Sequence, residues 1–185
     1  MKNKYKWIDG IPIMQRKKRL KLTFEETFTH YTYPVLFFMF AVMSVWFLIT
    51  KSYKEGAWTT EGLLIFSLTL FSLSVFLFFI QYKWLNFKEI KITFTDKQFK
   101  EAVKRTVNEL NWKIYIDNRI LFLAKREWCL PYSGGEQITI IKGDNNILIN
   151  SIFDPPLYAS IAPMGYNRRN IKIFLKNLYD VLDNK

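Results

Sequence analysis

The chain of 185 residues holds one cysteine, Cys129, and one histidine, His30. A lone thiol closes no intrachain disulfide. One thiol and one imidazole do not build the His/Cys clusters that hold structural metals, so no metal site is expected. They also make a poor nucleophile–base pair, because His30 borders the apolar part of the chain and Cys129 lies far beyond it. Gly134-Gly135 is not followed by the Lys-Ser/Thr of a phosphate loop. Gly143-Asp144-Asn145-Asn146 lacks the ligand spacing of a calcium loop. The acids Glu127, Glu136, Asp144 and Asp154 read as solvated turn residues, and none forms an obvious pair. No motif implies a cofactor or a catalytic residue. The expectation is a protein that is not an enzyme, and an unrecognised enzyme would need a polar pocket with perturbed acids.

Charge is missing from two long stretches. Residues 34–50, PVLFFMFAVMSVWFLIT, and residues 62–80, GLLIFSLTLFSLSVFLFFI, contain no ionisable side chain. As helices they reach about 26 Å and about 28 Å, close to the hydrocarbon thickness of a bilayer. Proton relays and ion sites need ionisable groups at such depth, so transport is a poor reading. Pro34 suits a first helical turn. Tyr31, Tyr33, Trp58, Tyr82 and Trp84 fall where interfacial aromatics belong. Ala41 and Ser44 on the first segment, with Ser67 and Ser74 on the second, are candidates for a close helix–helix contact. The alternative is that the serines bond only their own backbone.

What the chain has in excess is positive charge, a net +11. Residues 1–32 carry eight bases against three acids, residues 51–61 two against two, and residues 83–185 seventeen against eleven. The excess brackets the apolar segments and avoids the loop between them. That is the pattern of a cytoplasmic bias, not of a nucleic-acid surface. A multi-pass protein of the inner (plasma) membrane is expected, with both termini cytoplasmic and the loop 51–61 external. The organisation reads as a basic segment 1–33, a transmembrane hairpin 34–84 and a cytoplasmic domain 85–185.

Within the basic segment, residues 16–21 read RKKRLK, and Thr23-Phe24-Glu25-Glu26 matches a capping box. Leu20, Phe24, Phe28 and Tyr31 follow at helical spacing, as in a helix lying on the inner membrane face. Arg16, Lys17, Lys18, Arg19 and Lys21 are the candidate lipid-headgroup contacts, the bland alternative being a plain topogenic signal. His30 shows no partner in the sequence.

The last hundred or so residues change pattern. Ile90, Ile92 and Phe94 alternate as in a strand. Thr95-Asp96-Lys97-Gln98 opens a helix with Phe99, Ala102, Val103, Val107 and Leu110 on one face. Strands follow at Trp112, Ile114 and Ile116, at residues 120–124, at 138–141 and at 147–149. A closing helix carries Ile171, Phe174, Leu175, Leu178 and Leu182. This predicts a small α+β domain, an antiparallel sheet of about five strands with two helices on one face. Its most distinctive stretch is residues 151–170, SIFDPPLYASIAPMGYNRRN, a loop ending at a helix start. Gly165, Asn167, Arg168, Arg169 and Asn170 gather there as the candidate anion or partner contact. The bland alternative is that an asparagine caps the helix and the arginines are solvated.

The end of the chain, NSIFDPPLYASIAPMGYNRRNIKIFLKNL, resembles the closing signature of a family of uncharacterised small bacterial membrane-associated proteins, a domain of unknown function. Ser151, Ser160, Gly165, Asn167, Ile171, Phe174 and Leu175 carry the resemblance. Ala162-Pro163-Met164 departs from it where an acid is expected. A bacterial pleckstrin-like architecture fits less well, because a helix follows the first strand. The resemblance supports the fold more than any function, and the reading of the residues is a membrane-anchored interaction module, of accessory or immunity type. Its partners would be the bilayer and a protein or a second copy, not nucleic acid. An anionic-lipid or small-anion sensor is the alternative.

Overall fold

In a computed structural model of the chain, residues 10–51, 59–126, 135–155 and 165–183 are described. Trp58, Glu127, Cys129, Ser160 and residues 162–164 lie outside them.

Both charge-free stretches are helical, and both helices outrun them. α3 covers Thr32–Thr50 and α4 covers Thr60–Trp84. Thr59 caps α4 through its hydroxyl, which accepts from Gly62 N–H at 3.0 Å. At its other end Gln81, Tyr82, Lys83 and Trp84 stay helical, so α4 is about 37 Å long. Both helices are long and apolar enough to cross a membrane. They lie side by side, with Ala41, Ser44, Ser67 and Ser74 all buried. Each reading of the serines finds a case. Ser44 and Ser67 donate to Phe40 and Leu63 of their own helices, at 2.8 and 2.9 Å. Ser74 donates across the pair, to the Pro34 carbonyl at 2.8 Å.

Two short helices precede the pair, α1 (Ile11–Lys17) and α2 (Phe24–His30). In α2 the capping box is complete: Glu26 N–H reaches the Thr23 hydroxyl at 3.3 Å, and Thr23 N–H reaches the Glu26 carboxylate at 2.8 Å. α1 has no counterpart in the sequence reading.

The domain runs β1 (Lys88–Lys91), α5 (Asp96–Leu110), β2 (Trp112–Asp117), β3 (Leu121–Arg126), β4 (Glu136–Lys142), β5 (Asn146–Phe153) and α6 (Tyr166–Asp183). The five strands form one antiparallel sheet in the order β1-β5-β4-β3-β2. β1 stops before Ile92 and Phe94, which pack against the core beyond it. Gly143 closes the β4–β5 turn, where an added Cβ would sit 2.2 Å from Asn146 Oδ1.

α5 and α6 cover one face of the sheet, as expected. Phe99, Val103, Phe174 and Leu178 pack there with Phe122, Ile138, Ile140 and Ile149. The opposite face is not open. Met14 of α1, Leu20, and Leu85 and Phe87 beyond α4 bury Leu121, Leu123, Ile141, Leu148 and Ile152. The basic segment thus contributes a wall of the domain. Leu20 N–H donates to Leu85 carbonyl and Phe87 N–H to Lys18 carbonyl, each at 2.8 Å. Strands buried on both faces lose their alternation, which is why β3 opens on the apolar run Leu121-Phe122-Leu123-Ala124 and β4 sets Ile140 beside Ile141.

Candidate functional site

α6 brings the candidate residues of its first turn onto different sides. Gly165, with φ +82°, lets the chain turn into the helix, a conformation that favours glycine. Asn167 and Asn170 point inward. Asn170 Nδ2 donates to Ser151 Oγ at 3.1 Å and lies 3.5 Å from a Glu136 carboxylate oxygen. Its Oδ1 accepts from the Trp112 indole at 3.3 Å. Ser151 in turn donates to Asn167 Oδ1 at 3.2 Å. The asparagines therefore tie α6 to the sheet and are closed to a surface ligand. Neither caps the helix through these bonds.

Glu136 completes this network. It is not a solvated turn residue but a buried strand residue, with Arg126 at 3.7 Å. Burial raises its carboxyl above the ordinary value, opposed by Arg126, Asn170 and Arg169. Asp154 is also buried, in an ion pair with Lys125 on the other face of the sheet. Among the described residues no group of three or more His, Cys, Asp and Glu side chains is assembled for a metal.

Arg168 and Arg169 are exposed, on the other side of the helix. Arg168 heads a groove of about 650 Å³ between α6 and β1. Its cations are Lys88, Arg168, Lys172 and Lys176, and its floor is Ile171, Leu175 and Tyr179. Arg168, Lys172 and Lys176 are spaced by four, one row of a helix. That spacing was visible in the sequence. Lys88 was not linked to it, because only the fold sets β1 beside α6.

The cluster RKKRLK is divided too. Lys18 forms an ion pair with Glu89. Arg19 lies over the Tyr82 ring, 3.1 Å from its centroid, and donates to the Tyr82 carbonyl at 3.2 Å. Arg16, Lys17 and Lys21 remain exposed. His30, without a visible partner in the sequence, is buried with Nε2 3.0 Å from the Gln81 carbonyl. Burial lowers its pKa.

No family model, curated protein or solved structure matches the chain.

Proposed function

We propose that this is an integral membrane protein whose helical hairpin α3–α4 spans the bilayer and carries the α+β domain as a cytoplasmic protein-interaction module. It acts by binding, not by catalysis. One observation carries the reading. In the most apolar stretches of α3 and α4 only 17% and 22% of the residues are buried. The core helix of a soluble protein would be covered by its own chain. Here Phe40, Trp46, Ile49, Ile65 and Phe76 are exposed, in stretches without an ionisable side chain. Surface of that kind needs hydrocarbon around it.

α2 supports the same reading. Its outer side carries Phe24 and Phe28, 87% and 61% exposed, while Glu26 and His30 are buried. A helix with its apolar residues outside suits the edge of a bilayer. The charge asymmetry favours cytoplasmic termini at an inner membrane.

The chain has one cysteine, so Cys129→Ser leaves a clean background for topology. In that background Lys54→Cys should react with an impermeant maleimide in intact cells, and Asp183→Cys only after lysis. The chain should stay with membranes in alkaline carbonate. Its release by carbonate would sink the reading.

A further inference from the structure

We infer that the groove between α6 and β1 is the docking site for an acidic, amphipathic segment of a partner protein. This rests on the reading of the domain as an interaction module and names the chemistry of what it takes.

Charge sets the sign of the occupant. Lys88 faces Arg168, Lys172 and Lys176 across the groove, and among the described residues no acidic side chain lines it. Four cations lining one groove repel one another, and an anionic ligand relieves that repulsion. A two-fold contact with a second copy does not supply it, since the same basic row would meet its like.

The floor sets the rest. Ile171, Leu175 and Tyr179 recur at four-residue spacing beside the cationic row. Tyr179 is exposed on it. A phosphate or a lipid headgroup makes no use of an apolar strip. Nor does its size match. From Arg168 to Tyr179 the helix rises about 16 Å, the length of three helical turns or about five extended residues. A peptide with acids on one side and apolar residues on the other fills both rows at once.

Position sets where the partner is met. Lys88 is four residues past the end of α4, so its Cα lies within about 14 Å of that of Trp84. With the hairpin in a bilayer, the groove opens near the membrane surface.

The test uses the full chain in phosphatidylcholine nanodiscs. The probe is a fluorescein-labelled peptide of about 14 residues with Glu and Leu at amphipathic helical spacing. A Lys/Leu peptide of the same pattern is the counter-probe. The Glu/Leu peptide should bind, less tightly as salt rises, and the Lys/Leu peptide should not. Lys172→Glu/Lys176→Glu should weaken binding about tenfold or more, and Lys88→Glu should weaken it from the opposite wall. Lys97→Glu/Lys100→Glu, which removes exposed cations on α5, should leave it unchanged. Equal binding to the groove variants and the wild type, or no binding to the wild type, overturns the proposal.

A photo-crosslinker at Tyr179 in native membranes gives the second readout. Crosslinks to an acidic amphipathic stretch of a protein support the site. Crosslinks to phospholipid alone overturn it. Carbonate extraction of the same membranes tells failure of the groove from failure of the membrane reading.

Discussion

The side-chain amide of Asn150 reaches up to the end of α4, where its Nδ2 donates to the Trp84 carbonyl at 2.8 Å and to the Asn86 carbonyl at 2.9 Å. These carbonyls lie where the long helix gives way to the first strand. A helix end leaves its last carbonyls without partners, and here a sheet side chain supplies one. The bonds fasten the hairpin to the domain. Asn150→Ala should destabilise the chain by about 1–3 kcal/mol, the range for stripping a partner from a buried polar group. Asn150→Asp should be worse, although its shape is the same, because an acceptor oxygen then stands where Nδ2 donated to two carbonyls. Thermal unfolding of the domain in nanodiscs orders the three proteins. An Asp variant as stable as the wild type would show that this junction is not fastened here.

The hairpin contact is testable at Ser74. Its hydroxyl bonds the Pro34 carbonyl of the facing helix, and the residue is buried. Interhelical hydrogen bonds of this type contribute about 0.6 kcal/mol on average, so Ser74→Ala should be mild. Ser74→Leu inserts a large side chain where the helices meet, and overpacking of this kind costs about 1–3 kcal/mol. Resistance to unfolding in SDS should therefore fall little for Ala and clearly for Leu. The reverse order would mean that the bond, not the close approach, holds the pair.

Much of this architecture is legible in the sequence. Seventeen and nineteen residues without a charge define α3 and α4, and Thr23 and Thr95 announce α2 and α5 through their capping boxes. α4 outruns its charge-free stretch because polar residues such as Gln81 do not stop a helix when the fold buries them. α1 went unread because seven residues that include Pro12 and two adjacent cations show little periodicity. The second face of the sheet was missed despite a signal. Leu121-Phe122-Leu123-Ala124 and Ile138 to Ile141 do not alternate as a one-sided sheet requires. The candidate site was half legible. Arg168 and Arg169 were found, but Asn167 and Asn170 looked like surface residues. Their partners Trp112, Glu136 and Ser151 come from three different strands, and no local pattern joins them.

The exposed pair on α2 makes a prediction about depth. Phe24 and Phe28 share one side of a helix that ends where α3 begins. In the Cys129→Ser background, spin labels at Phe24→Cys and Phe28→Cys should meet oxygen, which concentrates in lipid, more often than a water-soluble nickel chelate. A label at Asn118→Cys, in the β2–β3 turn, should show the opposite preference. Water-like values at Phe24 and Phe28 would place α2 away from the bilayer.

Glu136 gives the pH dependence. Burial holds its carboxyl above the ordinary 4.5, although Arg126, Asn170 and Arg169 pull the other way. The folded state therefore keeps this proton to a higher pH than the unfolded chain does. Its contribution to stability is fully present below 4.5, is lost as pH rises through the raised folded value, and is constant above it. Glu136→Gln keeps a neutral side chain of the same size throughout. The melting temperature of the variant should thus gain on that of the wild type as pH rises from 4.5 and then hold a fixed gap. The change in that gap, rather than its value at any one pH, isolates the carboxyl from the lost contact with Arg126. A gap independent of pH would mean that Glu136 is ionised in the folded chain at every pH where it is ionised in the unfolded one. The attraction of Arg126, Asn170 and Arg169 would then just offset burial.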